Sequence, residues 1–196
     1  LTISAVRDAA GELTNYVALF TDITPLKEHQ RQLEHIAHFD ALTGLPNRVL
    51  LADRMQQALT QSQRRGLPVA VLYLDLDGFK AVNDTHGHGV GDELLVALAH
   101  RMKGALRNGD TLARIGGDEF VAVLVDLESV GDAQPVLQRL LQAAADPVDM
   151  GSNSLQVSAS IGVTVYPQDG VEADLLLRHA DQAMYVAKQA GKNRYH

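Results

Sequence analysis

Two aspartates, Asp75 and Asp77, close a strand-like segment whose first six residues, 69–74, are apolar at every position. Such a run predicts a central strand buried on both faces. Carboxylates placed where it emerges are costly unless something cationic satisfies them. Side chains alternate along a strand, so Asp75 and Asp77 share one face, and Leu76 offers a backbone carbonyl between them. An oxygen-rich corner of this kind suits Mg²⁺, which takes one or two carboxylates together with water and phosphate oxygens. A strand that simply ends at the surface reads the same way, so the segment by itself leaves both readings open.

A second acidic pair stands in Arg114-Ile115-Gly116-Gly117-Asp118-Glu119-Phe120. Two consecutive glycines between strands supply the positive φ angles of a two-residue primed turn, and their missing side chains let a ligand approach the backbone. Asp118 and Glu119 then stand at the tip of a hairpin. If that hairpin lies beside the 69–74 strand, three or four carboxylates converge, and a divalent cation relieves their repulsion. Polymerase-like chemistry uses such a cluster, since the metal polarises an α-phosphate, activates an attacking hydroxyl and stabilises leaving pyrophosphate.

The elements that must position these groups follow from pattern. Residues 47–65 read as a helix with Asn47 as its cap, 69–77 as a strand, and 89–106 as a helix with Val90, Leu94, Leu95, Leu98, Met102 and Leu106 on one side. Residues 112–115 and 120–125 flank the glycine turn; a helix at 133–145, a strand at 155–165, a helix at 173–189 and a short last strand complete the series. The expected class is α+β: a mainly antiparallel sheet with helices over one side. Ahead of it, residues 1–24 read as two strands around Asp8-Ala9-Ala10-Gly11. Residues 25–38 read as a linker helix in which Leu26, Leu33 and Ile36 trace a short heptad seam. A lone hairpin is marginal, so it is expected to belong to a larger sheet. His86 and His88 form an HxH in a glycine-rich loop and read as structural, and His35 and His38 as solvent-facing. Met184 and Tyr185 read as core.

Bulk properties narrow the function classes. The 196 residues contain no cysteine, which excludes disulfides and thiolate metal sites and leaves oxygen or histidine as ligands. A net charge of −7 disfavours nucleic acid as a partner, while a nucleoside triphosphate stays compatible if a cation and a few lysines offset the field. No apolar stretch approaches the twenty or so residues that cross a bilayer. The expectation is a cytoplasmic piece without membrane contact, cut from a longer protein whose own anchoring stays open.

The motifs are similar to those of the GGDEF family of diguanylate cyclases: Arg114–Phe120 in the signature, residues 40–48 (DALTGLPNR), 75–80 (DLDGFK), 87–95 (GHGVGDELL), and the late blocks around Ala180-Asp181, Met184-Tyr185, Lys188 and 191–194 (GKNR). They occur in family order, and the domain is expected over residues 39–196. The resemblance implies a palm-like nucleotidyl cyclase fold that condenses two GTP into cyclic di-GMP. It implies that Asp75, the Leu76 carbonyl and Asp118 bind Mg²⁺, with Mn²⁺ as an alternative, and that Glu119 joins them or activates the 3′-hydroxyl. Asn83 and Asp92 should read guanine, and Lys80, Lys188 and Lys192 should meet the triphosphate. Lys192 stands where the family often has arginine, so its phosphate contact loses the planar fork. The loop after Phe79 should cradle phosphates with backbone amides, and Gly117 should admit the nucleotide close to the hairpin. Arg107 and Asp110 match the family's RxxD inhibitory site for cyclic di-GMP. One set of nucleotide residues per chain implies a transient homodimer, each copy supplying one GTP. Residues 1–24 resemble the end of a PAS sensor domain, and the GKNRYH ending resembles the junction of a GGDEF–EAL tandem. The alternative is a non-catalytic GGDEF module that binds GTP or cyclic di-GMP to regulate a neighbour.

Overall fold

The computed structural model describes residues 2–20, 22–151 and 153–196. They fall into two compact units, Leu1–Ala37 and His38–His196.

In the first unit, β1 (Thr2–Arg7) pairs antiparallel with β2 (Leu13–Leu19), Ala5 opposite Tyr16. Asp8 closes the turn by accepting from the amides of Ala10 and Glu12, and Gly11 supplies a φ of +85°. Helix α1 (Thr24–His38) follows, its first amide bonded to the Asp22 carboxylate. Ile3, Tyr16 and Phe20 on the hairpin and Leu26, Leu33 and Ile36 on the helix are all exposed.

The second unit is built on a five-stranded sheet. In chain order its elements are α2 (Arg48–Arg65), β3 (Val69–Asp77), α3 (Phe79–His86), α4 (His88–Gly104), β4 (Thr111–Gly116), β5 (Glu119–Leu124) and α5 (Ala133–Ala145). A small hairpin, β6 (Val148–Met150) and β7 (Asn153–Leu155), then leads to β8 (Ser158–Tyr166), α6 (Ala173–Gln189) and β9 (Arg194–Tyr195). The strand order is β4-β5-β3-β8-β9, antiparallel except for the parallel β8–β9 edge. Asn47 caps α2 as expected, accepting from Val49 and Leu50, and Gly66 ends that helix at φ +71°.

β3 lies at the centre of the sheet, and its two faces part company. Ala70, Leu72, Leu74 and Leu76 enter one core with Phe120, Ala122 and Leu124 of β5 and the apolar sides of α4 and α5. Val69, Val71 and Tyr73 enter a second core with Val121, Val123, Leu51, Met55 and Leu176, under α2 and α6. Helices therefore cover both sides of the sheet, not the single side expected from element order. An all-apolar central strand demands this, because neither face can be left to water.

Four local expectations also change. Of the pair read as core, Met184 is buried and Tyr185 is exposed. Residues 79–86 form helix α3 where a phosphate loop and a glycine-rich loop were expected; Gly78 and Gly87, at φ +84° and +83°, bound it. The β6–β7 hairpin was not foreseen, because three-residue strands carry too little alternation to register. The positive φ angles at the glycine turn fall on Gly116 (+156°) and Gly117 (+51°), but the two central turn residues are Gly117 and Asp118. Gly116 already pairs with Glu119, with a register shift beside Ile115.

Candidate active site

The carboxyl end of β3 and the tip of the β4–β5 hairpin meet because β3 and β5 are hydrogen-bonded neighbours in a register that sets Asp75 directly opposite Glu119. The Leu76 amide donates to the Asp118 carbonyl at 3.2 Å, which draws the turn against the strand end. Leu76 buries its side chain in the core, so only its backbone is available to a ligand.

Burial pushes the Asp75 carboxyl above the ordinary carboxylate range, and the charges of Asp118 and Asp77 push the same way, against the opposing pull of Lys188. The Lys188 ammonium lies 2.8 Å from Asp75. The lysine expected to meet the triphosphate thus stands on the expected metal acid.

Asp77 has a different job from its twin. Its carboxylate accepts from the hydroxyls of Ser158 and Ser160, both at 2.8 Å, and from the Asn193 amide at 3.2 Å. Lys192 and Asn193 adopt left-handed φ angles of +61° and +47°, wrapping the chain from the end of α6 onto Asp77 and into β9. Of the four acids expected to converge, Asp77 is instead spent on holding the C-terminal turn, which leaves Asp75, Asp118 and Glu119 where β3 meets the hairpin tip. Among the described residues no three carboxylates or imidazoles form a ready-made cation cage. The donor set nonetheless fits Mg²⁺, because Asp75 is raised partly by Asp118, a repulsion that a shared cation would remove, and Mg²⁺ needs only one or two protein carboxylates.

Two residues with no expected role hold the hairpin tip. The Arg114 guanidinium donates twice to the Gly117 carbonyl, at 2.9 and 2.8 Å, and once to Asp40 at 2.9 Å. Asp40 also accepts from the amide and hydroxyl of Thr43. Burial alone would raise the Asp40 carboxyl, but the Thr43 bonds and the Arg114 charge hold it below the usual range. Asp40 begins the 40–48 motif and Arg114 the 114–120 motif, and their opposite charges were the available signal.

Tyr73 was counted among apolar residues, and its hydroxyl was the overlooked signal. The ring packs in the α2/α6 core, on the same face of the β3–β5 ladder as Glu119. Burial, then the charges of Glu119 and Asp181, push its pKa up to about 12, with Arg48 opposing. A cavity of about 300 Å³ opens beside it, lined by Arg48, Leu51, Ile115, Leu177, Arg178 and Asp181 among others. None of Asp75, Asn83 or Asp92 reaches that cavity.

The expected guanine residues lie on α3 and α4. The Asn83 side-chain oxygen is buried without a partner, and a Cβ on Gly91 would come within 1.9 Å of it, so glycine at 91 is what makes room for Asn83. An orphaned amide oxygen is a group awaiting a donor. Asp92, next to Gly91, is exposed, as is Lys80 in the first turn of α3. The amides available to phosphate beyond Phe79 are those of a helix N-terminus. Phe79 itself is buried in the core, and Lys192 is exposed.

Arg107 and Asp110 lie just after α4, away from the hairpin tip. Asp110 accepts from the amides of Arg107 (3.0 Å) and Val125 (3.2 Å), so it ties this turn to the far end of β5. The Arg107 side chain is exposed and makes no ion pair with Asp110.

Comparison with known proteins agrees with this geometry. The family described as "Diguanylate cyclase, GGDEF domain" matches residues 37–194. The chain is 45% identical over 172 residues to the bifunctional diguanylate cyclase/cyclic di-GMP phosphodiesterase MucR of Pseudomonas aeruginosa, covering 88% of this chain and 25% of that protein. It is 38% identical over 168 residues to the diguanylate cyclase TpbB of the same species, covering 85% and 39%. The chain thus spans well under half the length of these curated relatives. The solved GGDEF domain of TpbB superposes with a TM-score of 0.77 at 38% identity, covering 80% of this chain and 91% of that one. The coiled coil and GGDEF domain of DgcB from Caulobacter crescentus, solved with c-di-GMP, gives 0.77 at 26% identity, covering 88% and 92%. Shared sequence, fold and hairpin lead to one conclusion: the chain belongs to the GGDEF domain family of diguanylate cyclases.

Proposed function

We propose that this chain is a catalytically competent diguanylate cyclase domain, joining two GTP into cyclic di-GMP with release of two pyrophosphates. The observation that carries the reading is the juxtaposition of Asp75, Asp118 and Glu119 where β3 meets the hairpin tip. A divalent cation, Mg²⁺ or Mn²⁺, held by Asp75, Asp118 and the Leu76 carbonyl would polarise the α-phosphate and lower the pKa of the attacking 3′-hydroxyl.

The chain's own residues do the rest. Asn83 and Asp92 bind the guanine edge, an amide and a carboxylate together matching its donors and acceptors. Lys80 and Lys192 meet the phosphates. Lys188 is poised to exchange Asp75 for a phosphate when nucleotide and cation arrive. Glu119 receives the proton of the 3′-hydroxyl. The product has two equivalent linkages and each chain has one set of these groups, so two copies meet about a two-fold axis, each presenting its hydroxyl to the other's phosphorus. The turn carrying Arg107 and Asp110 binds product and restrains the rate. The similarity of DgcB, solved with c-di-GMP, supports product binding by this domain.

The test is direct. With GTP and Mg²⁺ the chain is expected to form cyclic di-GMP, with activity per chain rising with protein concentration. Asp118→Asn should lower turnover at least a hundredfold, the scale of losing one electrostatic contact to the transition state, while leaving the melting temperature unchanged or higher. Turnover near the parent rate in Asp118→Asn would overturn the site. Binding of GTP without turnover in the parent would mark the domain as a regulatory module.

A further inference from the structure

We propose that Tyr73 is a positioning residue for Glu119, its hydroxyl fixing the carboxylate in the orientation that meets the attacking 3′-hydroxyl. The inference rests on the cyclase reading above and adds to it a residue outside the metal and nucleotide sets.

The strand register places the pair. Tyr73 stands opposite Val121, and Asp75 stands opposite Glu119, so Tyr73 and Glu119 are diagonal neighbours on one face of the β3–β5 ladder. That diagonal is about 7–8 Å between backbones, within the reach of an aromatic side chain. On its other side Tyr73 faces Gly162 of β8.

Packing alone does not call for a hydroxyl here. The core that the ring packs against includes Val71, Val121, Leu51 and Leu176, all apolar, and phenylalanine would serve it equally. A half-buried tyrosine hydroxyl needs a partner, and the acid that the register sets beside it is Glu119, whose charge helps keep the hydroxyl protonated. The polar groups sharing its surroundings, Arg48 and Asp181, line the adjoining cavity on α2 and α6.

Glu119 needs such a restraint. It lies directly across from Asp75 and follows Asp118 in the chain, so like charges drive its carboxylate away from the acid pair. A donor behind it, on the Tyr73 side, offers a second anchor and narrows the rotamers it can occupy. A catalytic group held in one direction contributes through orientation, and small misplacements cost rate before they cost binding.

Two measurements on the same chain decide the matter. In the first, steady-state kinetics with GTP and Mg²⁺ compare the parent with Tyr73→Phe. The expected result is a kcat lower by about tenfold with a KM for GTP within about twofold, the pattern of an interaction realised in the transition state. Its melting curve should overlie the parent's. In the second, the protein is labelled with ¹³Cζ-tyrosine, and the Tyr73 signal is assigned by its loss in Tyr73→Phe. Glu119→Gln should then move that signal while leaving the other tyrosines in place. An unmoved Tyr73 signal, an unchanged kcat, or a raised KM at unchanged kcat overturns the proposal. A parent chain that makes no cyclic di-GMP overturns the cyclase reading instead, and the NMR arm still tests the Tyr73–Glu119 contact.

Discussion

The two faces of β3 are made by the same nine residues and differ in kind. On one face Ala70, Leu72, Leu74 and Leu76 are apolar from end to end and sealed under α4 and α5. On the other, Val69 and Val71 give way to Tyr73, then Asp75, then Asp77, an apolar-to-ionic gradient running toward the hairpin tip. The first face supplies burial and nothing else. The second gives up full burial at Tyr73 and Asp75 and gains chemistry. A buried acid is tolerable at Asp75 because the neighbouring face has already fixed the strand, so the site does not have to stabilise itself.

The comparison can be broken most severely at Gly162, on β8 beside Tyr73. A Cβ there would lie 1.9 Å from the Ala180 carbonyl oxygen and 2.2 Å from the Met184 amide nitrogen, both backbone atoms of α6. Gly162→Ala is expected to destabilise by about 4 kcal/mol, in the range that marks a change the structure cannot absorb. Urea unfolding checks this. A loss under about 1 kcal/mol, the ordinary cost of a point change, would mean that α6 is not seated as described.

Leu72 sharpens the comparison from the apolar side. It is fully buried, so Leu72→Ala should cost about 3 kcal/mol through lost transfer energy and a cavity. Turnover per folded molecule should stay close to the parent's. Tyr73→Phe, one residue on and facing the other way, should do the reverse. Equal effects of both changes on stability and on kcat would erase the distinction between the faces.

Asp40 gives the smallest expected effect. Its folded pKa is depressed, so its contribution is present above the unfolded carboxylate value near 3.9 and is lost as pH falls through the folded value. Asp40→Asn should therefore destabilise by about 1 kcal/mol at pH 7, on the scale of a partly exposed ion pair. The difference from the parent should close in strong acid. Thermal melts across pH 2–7 measure it (~5 points suffice for the trend), and a gap that persists at the acid end would place the effect elsewhere.

Much of this was legible in the residues. The run at 69–74 announced a central strand, the 173–189 helix was placed at its observed bounds, and the acids of Asp75 and Asp118 fell together as the glycine hairpin required. What stayed hidden depended on register. That Asp77 would be taken by Ser158, Ser160 and Asn193 is decided by which residues of β8 and β9 lie alongside β3, and no spacing within residues 69–77 encodes it. Lys188 on Asp75 likewise depends on how closely α6 approaches the sheet. Helix α3 was masked by Gly78, Gly87 and Gly89, which suggested a loop although two of them bound an eight-residue helix. Gly91 looked like one more loop glycine, yet it makes room for Asn83.

The link from Asp40 through Arg114 to the Gly117 carbonyl also has a consequence for the order of folding. The glycine turn itself closes over two residues, a contact that forms in microseconds once its strands collide. The bridge that orients it joins residues 74 apart, and the entropy of closing so long a loop is recovered only after much of the intervening chain is in place. The hairpin can thus form early with its acids unaimed, and become a site only when the start of the domain has docked on it. During synthesis or refolding, cation affinity at the turn should therefore lag behind the appearance of sheet, because the last contact to form is the one that aims Asp118.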